Sequence, residues 1–504
     1  MCRCSGSAAA PAGFRSIRSP ECDVSMPTTN NAELAETAEK PHRALRVLRV
    51  LRRASWSALG LAVLVLVSAG AAAGRDLAVI DAVRNADGEA LRALLRKKAD
   101  VNVAEADGTT ALHWASDADD LETVDLLIRA GALVNAANDL GVTPLWTASL
   151  NGSAAMVRRL LAAGANPNAA LLLGETPVMV AARSGNPEVV EMLLAKGANA
   201  NARAARGQTA LMWAVAQKHS SVVKALIGHG ADVHARSDVW SQVMAVPPHG
   251  LPEYNRAIPH GGDTAMMFAA RVGDLASAKL LVAAGGNVND QDAWGVSATV
   301  LAAHSGFGEL VEFLLENGAD PNAAAAGFTA LHEAIMRRDE KIVGALLAHG
   351  ADPDARLQTW TPTRRSSKDF HFGPELVGAT PFWLAARFSE PAVMRLLVEY
   401  GADPLFVHRV DYRRDEGAAE RRSEATTALM AAAGMGGGTP WVQPDRSERE
   451  TLVLETVKLA VDLGIDVNAA NTDGRTALDA ATSLKFERVV KFLVEKGATT
   501  GMSR

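Results

Sequence analysis

The chain has 504 residues, 48% of them hydrophobic and 21% charged, so it reads as folded protein but is too long for one ordinary globular core. A formal net charge of −6 gives no broad basic footprint for nucleic acid. Cys2, Cys4 and Cys22 are the only cysteines, which removes a Cys nucleophile, an iron–sulfur cluster and a thiolate zinc site from everything beyond residue 22.

Residues 1–53 are expected to be an unstructured, basic N-terminal region. Its first part lacks periodicity, and Met26 is read as the true start. "RALRVLRVLRR" at 43–53 sets Arg43, Arg46, Arg49 and Arg52 beside Leu45, Leu48 and Leu51 on a helix. An uncharged run follows at 54–74, ending in Ala71, Ala72 and Ala73. Basic, apolar and small-residue segments in that order are the signature of a secretory signal peptide. The alternative is an uncleaved signal anchor, because the run approaches the roughly 20 residues that cross a bilayer; the weaker hydrophobicity after Val67 favours cleavage. Either way the positive-inside rule puts residues 75–504 on the outer side of the cytoplasmic membrane.

Within the span 75–504, from residue 107 onward one pattern recurs: "DGTTALHWA", "LGVTPLWTA", "LGETPVMVA", "RGQTALMWA" and further variants, each followed by an apolar run such as "VEMLLAKGANAN". Thr110 to Gly131 is 21 residues and Gly131 to Thr143 is 12, a period of 33 that the next unit repeats. Thr at the start fits a helix N-cap, and Pro144, Pro177 and Pro381 fit the first helical position, where a missing N–H costs nothing. The second helix carries Leu at helical spacing and stops at a Gly able to adopt the left-handed conformation.

The T-A/P-L-H element, the Leu-rich second helix, the "GADVN"-like ends and the 33-residue period resemble the ankyrin repeat. The resemblance implies an all-α repeat solenoid of paired antiparallel helices with projecting β-hairpins or loops, about eleven units including caps. It also implies a concave side of hairpins and first helices that binds proteins, no enzymatic activity and no cofactor. The motif His stands only at His113 and His332. Elsewhere the family's hydrogen bond between units through that His is lost, and apolar packing is expected to compensate.

Subtracting the period locates insertions near 239–261, 357–377 and 405–425 at the hairpins, and a fourth near 435–449 between the two helices of one unit, expected on the opposite edge. The first, with "VWSQVMAVPPHGLPEYNRAIPHGG" at 239–262, is richer in Pro and aromatics than a flexible spacer. Aromatic and Arg residues mix in these insertions as at binding hot spots. The candidate partner-binding residues are therefore Trp240, Tyr254, Trp360, Arg364, Arg365, Phe370, Phe372, Phe406 and Tyr412. The competing reading is that these rings pin each loop to its own scaffold. Trp114, Trp213 and Phe268, which follow the motif-His position, are candidates on the first helices, with packing between units as the alternative.

His234, His249, His260, His371 and His408 match no metal-ligand spacing, and "GMGGGTP" lacks the Lys-Ser/Thr of a phosphate loop. The sequence thus leads to a monomeric, non-catalytic scaffold for a protein partner, periplasmic or anchored outside the cytoplasmic membrane and bacterial in its signal architecture. N-terminal membrane contact follows if the signal segment is kept; nucleic acid and metal are not expected. The alternatives are a ligand-binding, metal-binding or enzymatic role for the insertions, and a secreted effector acting on another cell's proteins.

Overall fold

The computed structural model describes residues 77–244, 256–361, 372–413, 421–438 and 445–501; the N-terminal region and the signal segment at 54–74 lie outside them. The described residues form eleven helix pairs, numbered here as units 1 to 11. Unit 1 pairs Ala78–Arg84 with Gly88–Arg96, and unit 11 pairs Ala477–Ser483 with Glu487–Glu495. Among the described residues no helix is long and apolar enough to cross a membrane.

The caps work as their residue types dictate. Thr143 Oγ1 accepts from Trp146 N at 3.2 Å, satisfying one of the orphan N–H groups at a helix start. In units 2 and 8 the backbone N–H of Thr110 and of Thr329 donates to Nδ1 of His113 and His332, both at 3.1 Å. With Nδ1 accepting, His113 donates through Nε2 to the Val142 carbonyl of the next unit at 2.9 Å. In unit 11 Asp479 takes the same place, its Oδ2 accepting from Thr476 N at 2.8 Å.

A second link between units comes from an Asn four places after the positive-φ residue that ends a second helix, Lys98 in unit 1 and Gly in the others. Asn102 donates through Nδ2 to the Gly131 carbonyl at 3.0 Å and accepts through Oδ1 from Leu133 N at 2.7 Å, so one amide joins two successive loops. Asn135, Asn168, Asn201, Asn289, Asn322 and Asn468 repeat both bonds. The units are therefore tied by amides along one edge as well as by apolar packing.

Two insertions form antiparallel ribbons. The first pairs β1 (Trp240–Met244) with β2 (Arg256–His260), in register from Trp240↔His260 to Met244↔Arg256. The third pairs β3 (Val407–Arg413) with β4 (Arg421–Thr427), and β4 runs straight into the first helix of unit 10, Ala428–Ala432. The second insertion has no strand among its described residues; it returns through a 3₁₀ turn at Pro374–Leu376.

The fourth insertion departs from expectation. Its described start turns back over the first helices instead of lying on the edge opposite the hairpins. A Cβ on Gly436 (φ +90°) would meet Trp383 at 2.5 Å, and one on Gly437 would meet Glu375 of the second insertion at 2.6 Å. Only glycine permits this positive φ and this close approach together. Insertions two, three and four therefore converge on unit 9.

Candidate partner-binding surface

The position after the motif His lies along the first helices and is mostly core. Thr147, Val180, Phe268, Leu301, Glu333 and Leu384 are buried, while Trp114 and Trp213 remain half-buried. Phe268, a candidate on sequence, is thus withdrawn from solvent. Each half-buried Trp is held by the preceding unit. The Arg84 guanidinium stands 4.8 Å from the Trp114 ring centre and Arg183 stands 5.0 Å from that of Trp213. The indole N–H groups donate to Glu105 Oε2 at 3.3 Å and to Gln208 Oε1 at 2.9 Å. Both rings are fixed before any partner arrives.

Further along, the same face carries titratable groups. Glu333 is fully buried, with Oε2 3.1 Å from His304 Nδ1, and Arg337 donates to the His304 carbonyl at 2.8 Å. Burial pushes the Glu333 carboxyl well above the usual carboxylate range. It also drives His304 down to about 3, with help from Arg337 and Arg271. Burial thus favours the uncharged form of both groups, since either ion is costly to bury.

In the insertions the candidates separate. Trp240 is half-buried at the root of β1, stacked on His260 at 4.5 Å with Arg206 4.8 Å from its ring centre. Trp360 and Phe406 are also half-buried, and Arg356 lies 5.0 Å from the Phe406 ring centre. Phe372 is fully buried 5.3 Å from Phe328, and its N–H donates to Thr361 Oγ1 at 2.8 Å. Tyr412 is buried too, donating its hydroxyl to Glu424 Oε1 at 3.1 Å. These last two rings anchor their insertions. Tyr254, Arg364, Arg365 and Phe370 lie outside the described residues.

Where three insertions meet, several buried polar atoms have no hydrogen-bond partner among the described residues. Cross-strand neighbours His408 and Thr426 are each 1% exposed, and the His408 ring lies 4.4 Å from Trp383, itself 0% exposed. His408 donates through Nε2 to the Val377 carbonyl at 3.0 Å, which leaves Nδ1 as a bare acceptor; burial lowers its affinity for a second proton. Among the described residues Nδ1, Thr426 Oγ1 and Trp383 Nε1 have no hydrogen-bond partner. Beside them Arg387 donates to the carbonyls of Gly437 and Gly438 at 2.6 and 2.8 Å. No group of three His, Cys, Asp or Glu among the described residues stands close enough to hold a metal ion.

Family models for ankyrin repeats match residues 79–171, 170–237, 262–356 and 377–409, together more than half of the chain. The chain belongs to the ankyrin-repeat family. The helix pairs of units 10 and 11 continue the ankyrin array beyond those matched residues. Relatives with ankyrin repeats include an ankyrin repeat and KH domain-containing protein of Caenorhabditis briggsae, 31% identical over 254 residues, or 49% of this chain and 9% of that protein. An Arabidopsis thaliana protein named E3 ubiquitin-protein ligase KEG is 29% identical over 260 residues, 49% of this chain and 16% of that one. Ankyrin repeat protein L92 of Acanthamoeba polyphaga mimivirus is 40% identical over 70 residues, 14% of this chain and 17% of that one. The chain thus spans under a fifth of the length of each. An ankyrin array is a protein-interaction architecture, and this one adds ribbons and fixed aromatic rings to it.

Sequence reasoning did not find Arg84, Arg183, Arg387, Glu333 or His408 as parts of this surface. The arginines had a legible signal: Arg84 precedes Trp114, and Arg183 precedes Trp213, by 30 residues, the distance from the last turn of one first helix to the first turn of the next.

Proposed function

We propose that the protein is a non-catalytic scaffold, exported to the outer side of the cytoplasmic membrane, that holds a protein partner on its first-helix face and on its insertions. The observation that carries this reading is the state of the half-buried aromatics. Trp114, Trp213, Trp240 and Phe406 each stand beside an arginine in a fixed geometry. Rings ordered in advance lose little conformational freedom on binding, so more of their contact energy appears as affinity. Trp and Arg are also the residues that dominate interface energetics. The export part rests on the segment at 43–74.

The test is expression from Met26 with a C-terminal tag in a Gram-negative host, followed by fractionation and crosslinking before affinity purification and mass spectrometry. Recovery outside the cytoplasm with one partner, weakened at least tenfold by Trp114→Ala, Trp213→Ala and Trp240→Ala at unchanged far-UV helicity, is the expected result. Cytoplasmic recovery with an intact N-terminus overturns the export reading. Undiminished capture by the triple variant overturns the surface.

One observation favours a second reading, in which the insertions bind a small polar molecule: the three unpartnered atoms of Trp383, His408 and Thr426. That reading expects a thermal shift with a small-molecule panel that is abolished in His408→Phe.

A further inference from the structure

Among the side-chain bonds between units, two kinds recur along the array. The loop series is the row of Asn amides described above. The turn series runs from the end of one first helix back to a carbonyl of the preceding unit: Asn151 to Asp117 at 3.2 Å, Ser184 to Leu150 at 3.0 Å, Ser305 to Arg271 at 3.4 Å and Arg337 to His304 at 2.8 Å.

The loop series fails at the three junctions that carry hairpin insertions. Four residues after Gly230, Gly350 and Gly401 stand His234, Asp354 and Leu405 in place of Asn. Asp354 keeps the accepting half, from Asp403 N at 3.0 Å, but a carboxylate has no N–H to donate. His234 and Leu405 have no amide at all.

An arginine clamps each of these junctions instead. Between units 5 and 6, Arg236 donates to the carbonyls of Gly262 and Gln291 at 2.9 and 2.7 Å and pairs with Asp290 at 2.6 Å. Between units 8 and 9, Arg338 donates to the consecutive carbonyls of Phe388 and Ser389. Between units 9 and 10, Arg387 donates to those of Gly437 and Gly438. The last two run in the opposite direction from the turn series, forward from the earlier unit. The planar fork of guanidinium suits two adjacent acceptors.

We propose that the array is four mechanical blocks, units 1–5, units 6–8, unit 9 and units 10–11, which open at the insertion junctions, each latched by one arginine. In a repeat array stability is a sum of unit and nearest-neighbour terms, so opening occurs at the junctions with the weakest links. A two-bond amide repeated through a block makes its internal junctions alike. A junction that lacks the two-bond amide depends more heavily on its arginine clamp. The three hairpin insertions sit at the joints, so whatever holds an insertion also holds two blocks in one arrangement. This inference concerns the free chain and stands or falls independently of the partner reading.

The test is hydrogen–deuterium exchange by mass spectrometry on the full chain, comparing the unaltered protein with Arg387→Ala and Asn168→Ala. Arg387→Ala is expected to raise amide exchange at least tenfold through units 10 and 11 while units 1–8 keep their rates. Asn168→Ala is expected to raise exchange within units 1–5 and stop at the first insertion. A rise spread through all eleven units in either variant shows one cooperative array and overturns the proposal. So does an Arg387→Ala effect confined to the segment around Gly436–Gly438. Should Arg387→Ala fail to fold, Arg387→Lys keeps the charge and loses the fork, and the same pattern is expected from it.

Discussion

Glu390 shows how one residue converts burial into pH dependence. Burial pushes its carboxyl up to about 8 against an ordinary 4.5, with Arg338 at 3.9 Å pulling only weakly the other way. Burial likewise raises Asp292 to about 6 from 3.8. Both groups keep a proton in the folded state after the unfolded chain has lost it, so the stability they add is complete below about pH 4 and is lost as pH rises through 6 and then 8. His304 and His332 act in the opposite sense. Burial lowers them to about 3 and about 4, so their contribution is complete above 6.5 and is lost on acidification. Melting temperature is therefore expected to fall on both sides of a maximum in the weakly acidic range. Glu390→Gln is expected to flatten the limb above pH 6 and leave the acid limb unchanged; an unaltered alkaline limb refutes the assignment. None of this was readable from sequence, because Glu333 in a helix and Glu390 just before one look like ordinary charged residues until the neighbouring units enclose them.

At the scale of elements, the helix pairs were legible and the insertions only partly so. Thr-Pro starts and Gly stops act within a few residues, so sequence placed the pairs correctly. Thr143→Ala is expected to cost about 1 kcal/mol by loss of the cap, and Asn168→Ala about 1–3 kcal/mol by loss of two bonds between units; urea midpoints at constant m-value check both. The row of Asn was visible in the sequence, but its role depends on which loop lies against which. In the insertions, aromatic content marked the segments as unlike flexible spacers without saying which way each ring faces. In β3, alternation turns His408 and Tyr412 inward and leaves Arg409 and Asp411 exposed. Phe372→Ala and Tyr412→Ala are accordingly expected to destabilise the fold, by about 3–5 kcal/mol for the Phe. Trp240→Ala is expected to act on partner capture with little change in melting.

For the whole molecule, segmentation at three junctions makes unfolding non-uniform. Trp146 is buried in unit 3 and Trp383 in unit 9. Urea unfolding followed by tryptophan fluorescence is therefore expected not to coincide with unfolding followed by far-UV ellipticity, and coincident curves refute it. The sequence by itself determined the repeat, its period and the number of units. Each of these is written in caps, stops and spacings that act locally and recur every 33 residues. Only the tertiary structure decided which aromatics are anchors and which stay half-buried. It alone brought the described start of the fourth insertion, Gly436 to Gly438, back over unit 9 and turned Arg236, Arg338 and Arg387 into clamps. Those outcomes depend on contacts between different units and insertions, some 50 or more positions apart, such as Arg338 with Phe388 and Arg387 with Gly437, and no local propensity encodes a contact at that separation.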